Sequence, residues 1–147
     1  HEFSDDLVSK AGSLGAISPT EEQITDIKKG IEIGQAIGQF DIGQSLVIRR
    51  GYVLAVEAAE GTENMLSRCA DFAWDTPSGV LIKMPKPGQE LRADMPAIGV
   101  ETVKQVAAAG LCGIAIEAEH TLLIDREKII QAANECGLFI EAFTVQK

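Results

Sequence analysis

The sequence predicts an α/β domain built on a mixed sheet with flanking helices. Short runs of branched apolar residues alternate with segments of helical periodicity, the pattern of strands covered by helices. Two of these runs, Ser45-Leu46-Val47-Ile48 and Tyr52-Val53-Leu54-Ala55-Val56, are joined at Arg50-Gly51. That gap is far too short for a parallel crossover, so the two pair as a hairpin. A third run, Gly79-Val80-Leu81-Ile82-Lys83-Met84, is nearly continuous in apolar residues, as expected of a strand covered on both faces.

Each element follows from local signals. Residues 1–17 lack a clear period and are rich in Ser and Gly, which reads as a lead-in segment or linker before a domain over 18–147. Ser18 is a good N-cap, Pro19 fits the first helical position and Glu21 closes a capping box. Ile24, Ile27, Ile31 and Ala36 carry that helix to about Phe40. Gly30, Gly34 and Gly38, spaced by four on one side, let another backbone approach closely. After the hairpin, Gly61 or Thr62 caps a helix bearing Met65, Leu66 and Cys69. Pro85 to Gly99 is a long polar loop, and such loops in compact domains are more often functional than not. Val100–Ala109 is a helix stopped by Gly110. Gly113–Glu117 is a strand, and Glu119-His120 makes a hairpin turn into Thr121–Ile124. Asp125 caps a helix through Cys136, Gly137 stops it, and Leu138–Val145 is the last strand.

The 147 residues make one domain at roughly 150 residues per domain. A content of 46% hydrophobic and 24% charged residues excludes a disordered or collagen-like chain. Charges or glycines break every apolar run, so no transmembrane helix is expected. The acidic opening His1-Glu2-Phe3-Ser4-Asp5-Asp6 has no apolar core and is not a signal peptide. His1-Glu2-Phe3 reads as a cloning remnant, and the chain as a fragment of something longer. With 13 basic against 22 acidic residues the net charge is −9, which argues against nucleic acid as a partner. Cys69, Cys112 and Cys136 lack metal-ligand spacing and sit in apolar stretches, so they read as small buried hydrophobes in a reducing cytoplasm.

Four polar patches fall at strand ends or in loops: Asp41-Ile42-Gly43-Gln44, Glu57 to Asn64, Lys83 to Gln89, and Arg92 to Gly99. Ligands of open α/β sheets bind outside the carboxyl ends of strands, where the second and third patches belong. Glu57, Glu60, Glu63 and Asp94 supply hard oxygens suited to Mg²⁺ or Mn²⁺. Lys83, Lys86 and Arg92 supply positive charge for phosphate. Gly61-Thr62 at a helix start offers backbone N–H groups to an anion. Together these suit metal-assisted phosphoryl chemistry, although no Walker loop and no GxGxxG is present. Taken singly each residue also has a plain role: a surface carboxylate is usually solvated, Pro85-Lys86-Pro87-Gly88 is a stiff turn, Asp41 ends a helix, and His120 is a turn residue.

The strings DIGQSLVIRRGYVLAVEAAEGTENMLSR, GVLIKMPKPGQELRADMPAIGVETV and GLCGIAIEAEHTLLIDREKIIQAANECGLFIEAF resemble the C-terminal domain of the LpxI-type UDP-2,3-diacylglucosamine pyrophosphatases. The resemblance runs from about Gly15 to the C-terminus, and DIGQ, EGT, KMPKPGQ and RxDxPxIG in this order are its specific motifs. It implies metal-dependent hydrolysis of the UDP-2,3-diacylglucosamine pyrophosphate to lipid X and UMP, in bacterial lipid A synthesis. It implies Asp94 as metal ligand or water activator, with Glu57 and Glu60 as further metal ligands. Lys83, Lys86, Gln89, Arg92, Gly61, Thr62, Asp41 and Gln44 would meet the phosphates or the sugar. After EGT the family favours Asp; this chain has Glu63, one methylene longer, which is left out of the ligand set. The family holds its nucleotide-lipid between two domains. Its N-terminal domain is absent here, so little activity of the isolated domain and some self-association through the bared face are expected. A cytoplasmic protein in peripheral contact with the inner membrane follows from the lipid substrate. Two other readings compete: a non-catalytic nucleotide-sugar or lipid-binding module, and a dimerisation module using the glycine-rich helix.

Overall fold

In the computed structural model, which describes residues 5–85 and 95–145, regular structure begins where the sequence has no period. β1 (Asp5–Leu7) and β2 (Gly12–Ser13) are short edge strands, and Val8 between them is buried. They are held by backbone bonds, such as Leu14 N–H to the Ile140 carbonyl at 2.9 Å, which leave no mark on side-chain pattern. The first seventeen residues are thus woven into both sheets from Asp5 onward.

α1 (Glu21–Gln39) starts two residues later than the sequence suggests, with Thr20 as N-cap. Thr20 Oγ1 accepts from the Gln23 N–H at 3.2 Å, and Gln23 Oε1 accepts from the Thr20 N–H at 2.8 Å. This closed Thr-x-x-Gln box outcompetes the Ser18 start, because both of its reciprocal bonds are made. The hairpin of β3 (Ser45–Arg49) and β4 (Tyr52–Val56) is antiparallel as expected. α2 (Thr62–Cys69) follows with Gly61 as N-cap, then a 3₁₀ turn over Ala70–Phe72. β5 (Val80–Lys83), the two-residue β6 (Ala97–Ile98) inside the expected loop, and α3 (Val100–Ala108) come next. β7 (Gly113–Glu117), β8 (Leu122–Ile124), α4 (Arg126–Cys136) and β9 (Phe139–Phe143) complete the described chain.

The main sheet has the order β2-β9-β7-β5-β3-β4, and a smaller one the order β1-β8-β6. β5, β7 and β9 run parallel, while β2, β3 and β4 are antiparallel to their neighbours. The sheet is mixed, as the sequence predicts. The expected hairpin between Gly113–Glu117 and Thr121–Ile124 does not form. β7 is already paired on both edges, by β5 and β9, so the chain turns at His120 and β8 joins β1 and β6 instead.

Both faces of the main sheet are covered. Val47, Leu81, Ile114, Ile116 and Ile140 pack with Met65 and Leu66 of α2, Val103 and Val106 of α3, and Ile129 and Ala133 of α4. On the other face Leu46, Ile48, Ile82 and Met84 meet Ile27 and Ile37 of α1. The glycine row serves that contact. A Cβ on Gly30 would come to 2.6 Å from Ile82 Cγ1, and one on Gly34 to 2.5 Å from Met84 Sδ. The row therefore seats α1 on its own sheet, and these two glycines are not open to a second copy. Cys69 is buried and Cys112 half-buried, but Cys136, at the last position of α4 and beyond its last buried residue Ala133, is exposed.

Asp26 of α1 is buried and clamps the hairpin turn. Its carboxylate accepts from the Arg50 N–H at 2.8 Å and the Gly51 N–H at 2.9 Å, while Lys29 Nζ donates to the Gly51 carbonyl at 2.6 Å. Replacing Asp26 by Ala leaves two turn donors without their charged acceptor. Urea denaturation of Asp26→Ala is expected to show a loss of about 2–3 kcal/mol.

Candidate functional site

Parallel strands place their carboxyl ends at one edge, so the last residues of β5 and β7, Lys83 and Glu117, share an edge of the sheet. The antiparallel register adds Ser45, the first residue of β3, directly opposite Lys83. Glu57 follows β4, and its N–H donates to the Ser45 carbonyl at 2.9 Å. Thr62 opens α2 a few residues later. These four side chains meet at the Thr62 hydroxyl. It donates to Glu57 Oε1 at 2.9 Å, receives from Lys83 Nζ at 3.4 Å, and lies 3.3 Å from Ser45 Oγ.

The electrostatics of this cluster turn on Lys83. Burial pushes its ammonium below the usual lysine range, and the Glu57 carboxylate opposes that shift. A cation held in a partly dry site with one carboxylate nearby gains strongly from an anionic ligand. Beside it, α2 begins at Gly61 with φ 88° and no side-chain cap, so the first N–H groups of the helix lack a side-chain acceptor. A half-buried ammonium, a hydroxyl fixed by a carboxylate and an uncapped helix start together form a receptor for phosphate oxygens.

The DIGQ patch shapes the wall of this site. Asp41, at positive φ, ends α1, with its N–H on the Gly38 carbonyl at 3.0 Å. A Cβ on Gly43 would overlap the Glu57 carbonyl oxygen, so only glycine allows the loop to lie against Glu57. The Gln44 carbonyl accepts from the Met84 N–H at 2.8 Å, which ties the patch to the end of β5.

The structure thus brings together Glu57, Gly61, Thr62 and Lys83, with Asp41 and Gln44 alongside through the loop they flank. Glu60 stands apart. Arg68 Nε donates to Glu60 Oε2 at 3.2 Å, and Arg68 Nη2 pairs with Oε1. Lys86, Gln89, Arg92 and Asp94 lie outside the described residues. Among the described residues, no three His, Cys, Asp or Glu side chains converge as a metal cage. Sequence reasoning missed Ser45, which reads there as an ordinary strand start. It also missed Glu117 with His120, whose Glu-x-x-His spacing at the end of an apolar strand was the available signal.

A sequence model of the LpxI C-terminal domain matches residues 10–141. The chain is 46% identical to a UDP-2,3-diacylglucosamine pyrophosphatase LpxI of Caulobacter vibrioides, with 95% of this chain and 52% of that protein covered. The chain therefore spans about half the length of the curated relative it matches.

The close approach at Gly43 has a direct consequence. Gly43→Ala forces the loop off Glu57 and is expected to lower stability by about 1–3 kcal/mol. A thermal melt beside the unsubstituted chain measures it, and an unchanged midpoint would contradict the contact.

Proposed function

The chain belongs to the LpxI C-terminal domain family, and from that premise we propose that it is the catalytic-type half of an enzyme hydrolysing the pyrophosphate of UDP-2,3-diacylglucosamine to lipid X and UMP in lipid A biosynthesis. The observation that carries this reading is the meeting of Lys83, Thr62 and Glu57 beside the uncapped start of α2. Lys83 and the helix N–H groups hold the pyrophosphate oxygens and offset the charge that builds as the anhydride opens. Glu57 fixes the Thr62 proton, so the hydroxyl turns its lone pairs toward Lys83 and keeps the ammonium in place. Lys86, Gln89, Arg92, Asp41 and Gln44 are proposed to meet the phosphates or the sugar as well. Asp94 orients the attacking water.

A Mg²⁺ or Mn²⁺ requirement belongs to the same proposal. The described residues do not by themselves fit a divalent cation, since Glu57 is the one carboxylate hydrogen-bonded within the cluster and Glu60 is held by Arg68. The requirement therefore falls chiefly on Asp94 with Glu57, and no step above runs through the ion. Exhaustive EDTA treatment of the full-length parent is expected to abolish turnover, and undiminished turnover would remove the cation from the account. The rest of the parent closes the cleft over the ligand, so the chain alone has little turnover. No helix among the described residues is long and apolar enough to cross a membrane. The proposed place of work is the cytoplasmic face of the inner membrane, reached by peripheral contact.

In the full-length parent, Lys83→Met is expected to lower kcat/KM by roughly 10²–10³-fold, the scale of one preorganised charged donor. Asp94→Ala is expected to lower turnover by orders of magnitude with substrate binding retained. Normal hydrolysis by both variants would move the chemistry away from this edge of the sheet. The fold should respond to Lys83→Met in the opposite sense. The folded-state pKa of Lys83 lies below its unfolded value, so the unfolded chain binds more protons between the two, and stability rises with pH through that window. Lys83→Met removes this partly desolvated charge, so its melting temperature at pH 7 is expected to exceed that of the native chain, and the alkaline rise is expected to vanish.

A further inference from the structure

The carboxyl edge of the sheet carries a second polar group that the reading above does not use. Glu117, the last residue of β7, is buried, and His120 follows it by three residues in the turn toward β8. His120 Nδ1 lies 3.0 Å from Glu117 Oε2. The contact has ion-pair distance but falls short of a well-aligned hydrogen bond, and Nδ1 is shielded from solvent. The next residue, Thr121, is wholly buried, and its Oγ1 has no hydrogen-bond partner. Two adjacent buried polar atoms short of partners are unusual away from functional sites. The imidazole itself is 36% exposed, which leaves Nε2 as the open nitrogen. A carboxylate at Nδ1 favours the tautomer in which Nε2 carries a lone pair able to accept a proton.

Lys83 pairs in register with Ile116, so Glu117 lies one residue beyond the Lys83 position on the adjacent parallel strand, and by strand alternation its side chain leaves the sheet on the α1 face while that of Lys83 leaves on the α2 face. The pair therefore flanks the same carboxyl edge from the side opposite Lys83. The Leu122 N–H donates to the Pro96 carbonyl at 2.9 Å, which ties the end of the turn to the start of β6. We propose that Glu117 and His120 are the proton-handling pair of the pyrophosphate hydrolysis. A water oxygen bonds to phosphorus, the bridging P–O bond breaks with its electron pair on the departing phosphate, and His120 Nε2 takes one proton from the water. The imidazolium then returns that proton to solvent. Asp94 keeps the orienting role. This inference rests on the pyrophosphatase reading.

The test uses the full-length parent, UDP-2,3-diacylglucosamine as substrate, and the variants His120→Ala, Glu117→Gln and Lys83→Met. His120→Ala is expected to lose roughly 10²–10⁴-fold in kcat with little change in KM, and added imidazole is expected to restore part of the loss. Glu117→Gln is expected to lose less, since the amide still orients the ring. An unchanged kcat in His120→Ala overturns the proposal. A loss that imidazole does not restore, or one confined to KM, also overturns it, because a structural or binding role would explain either. If Lys83→Met abolishes activity while His120→Ala retains it, the pyrophosphatase reading stands and this inference alone fails. Absence of turnover in the unsubstituted parent sinks both.

Discussion

A strand covered by apolar residues on both faces cannot carry charge along its length, and this constraint sets where the polar chemistry of the domain sits. β5 and β7 lie in the middle of the main sheet, with helices packed on both faces. Their charged residues, Lys83 and Glu117, are both terminal. Because the strands are parallel, both ends fall at the same edge. β9 shows the rule at its margin: Glu141 sits within the strand, with β7 on one side and only the two-residue β2 on the other, and Ser13 Oγ donates to its carboxylate at 2.6 Å.

The remaining parts of the candidate site depend on how α1 lies on the opposite face. Gly30 and Gly34 allow the helix to settle against Ile82 and Met84, the residues flanking Lys83 in sequence. Asp26 then fixes the turn of the β3–β4 hairpin. With the hairpin fixed, Ser45 and Glu57 arrive at the level of Lys83, and Gly43 lets the preceding loop close over Glu57. At the far end of β3, Arg49 donates to the Phe72 carbonyl at 2.7 Å and stacks on Trp74 at 3.9 Å, so its charge stays away from the cluster. Packing on one face thereby sets distances at the edge, and a half-buried lysine is held beside a carboxylate that only partly offsets its desolvation.

Much of this architecture was legible in the sequence wherever a local signal had no competitor. The Arg50-Gly51 link fixed the hairpin, Gly61-Thr62 marked the start of α2, and Gly137 ended α4. Thr20 displaced Ser18 as a cap because two candidates stood close together and only the three-dimensional bonds distinguish them. The pairing of β8 with β1 and β6 was hidden, since strand choice depends on which edges other strands have already filled. The same holds within the site. Glu57, Thr62 and Lys83 were visible as residue types at strand ends, and their meeting was implied by the edge rule. Glu60 looked equivalent to Glu57 in sequence, yet it sits in the turn before α2 and is taken by Arg68 from that helix. Ser45 carries no pattern of its own and acquires meaning only through Lys83, across the non-local pairing of β3 with β5.

The most direct measurement is a crystal structure of the full-length parent with UMP bound. The account predicts a phosphate oxygen within hydrogen-bond distance of Lys83 Nζ and of the first backbone N–H groups of α2, with Glu57 still accepting from Thr62. A phosphate bound elsewhere, at the Arg49 end of the sheet or on surface lysines, with Lys83 untouched, would contradict it.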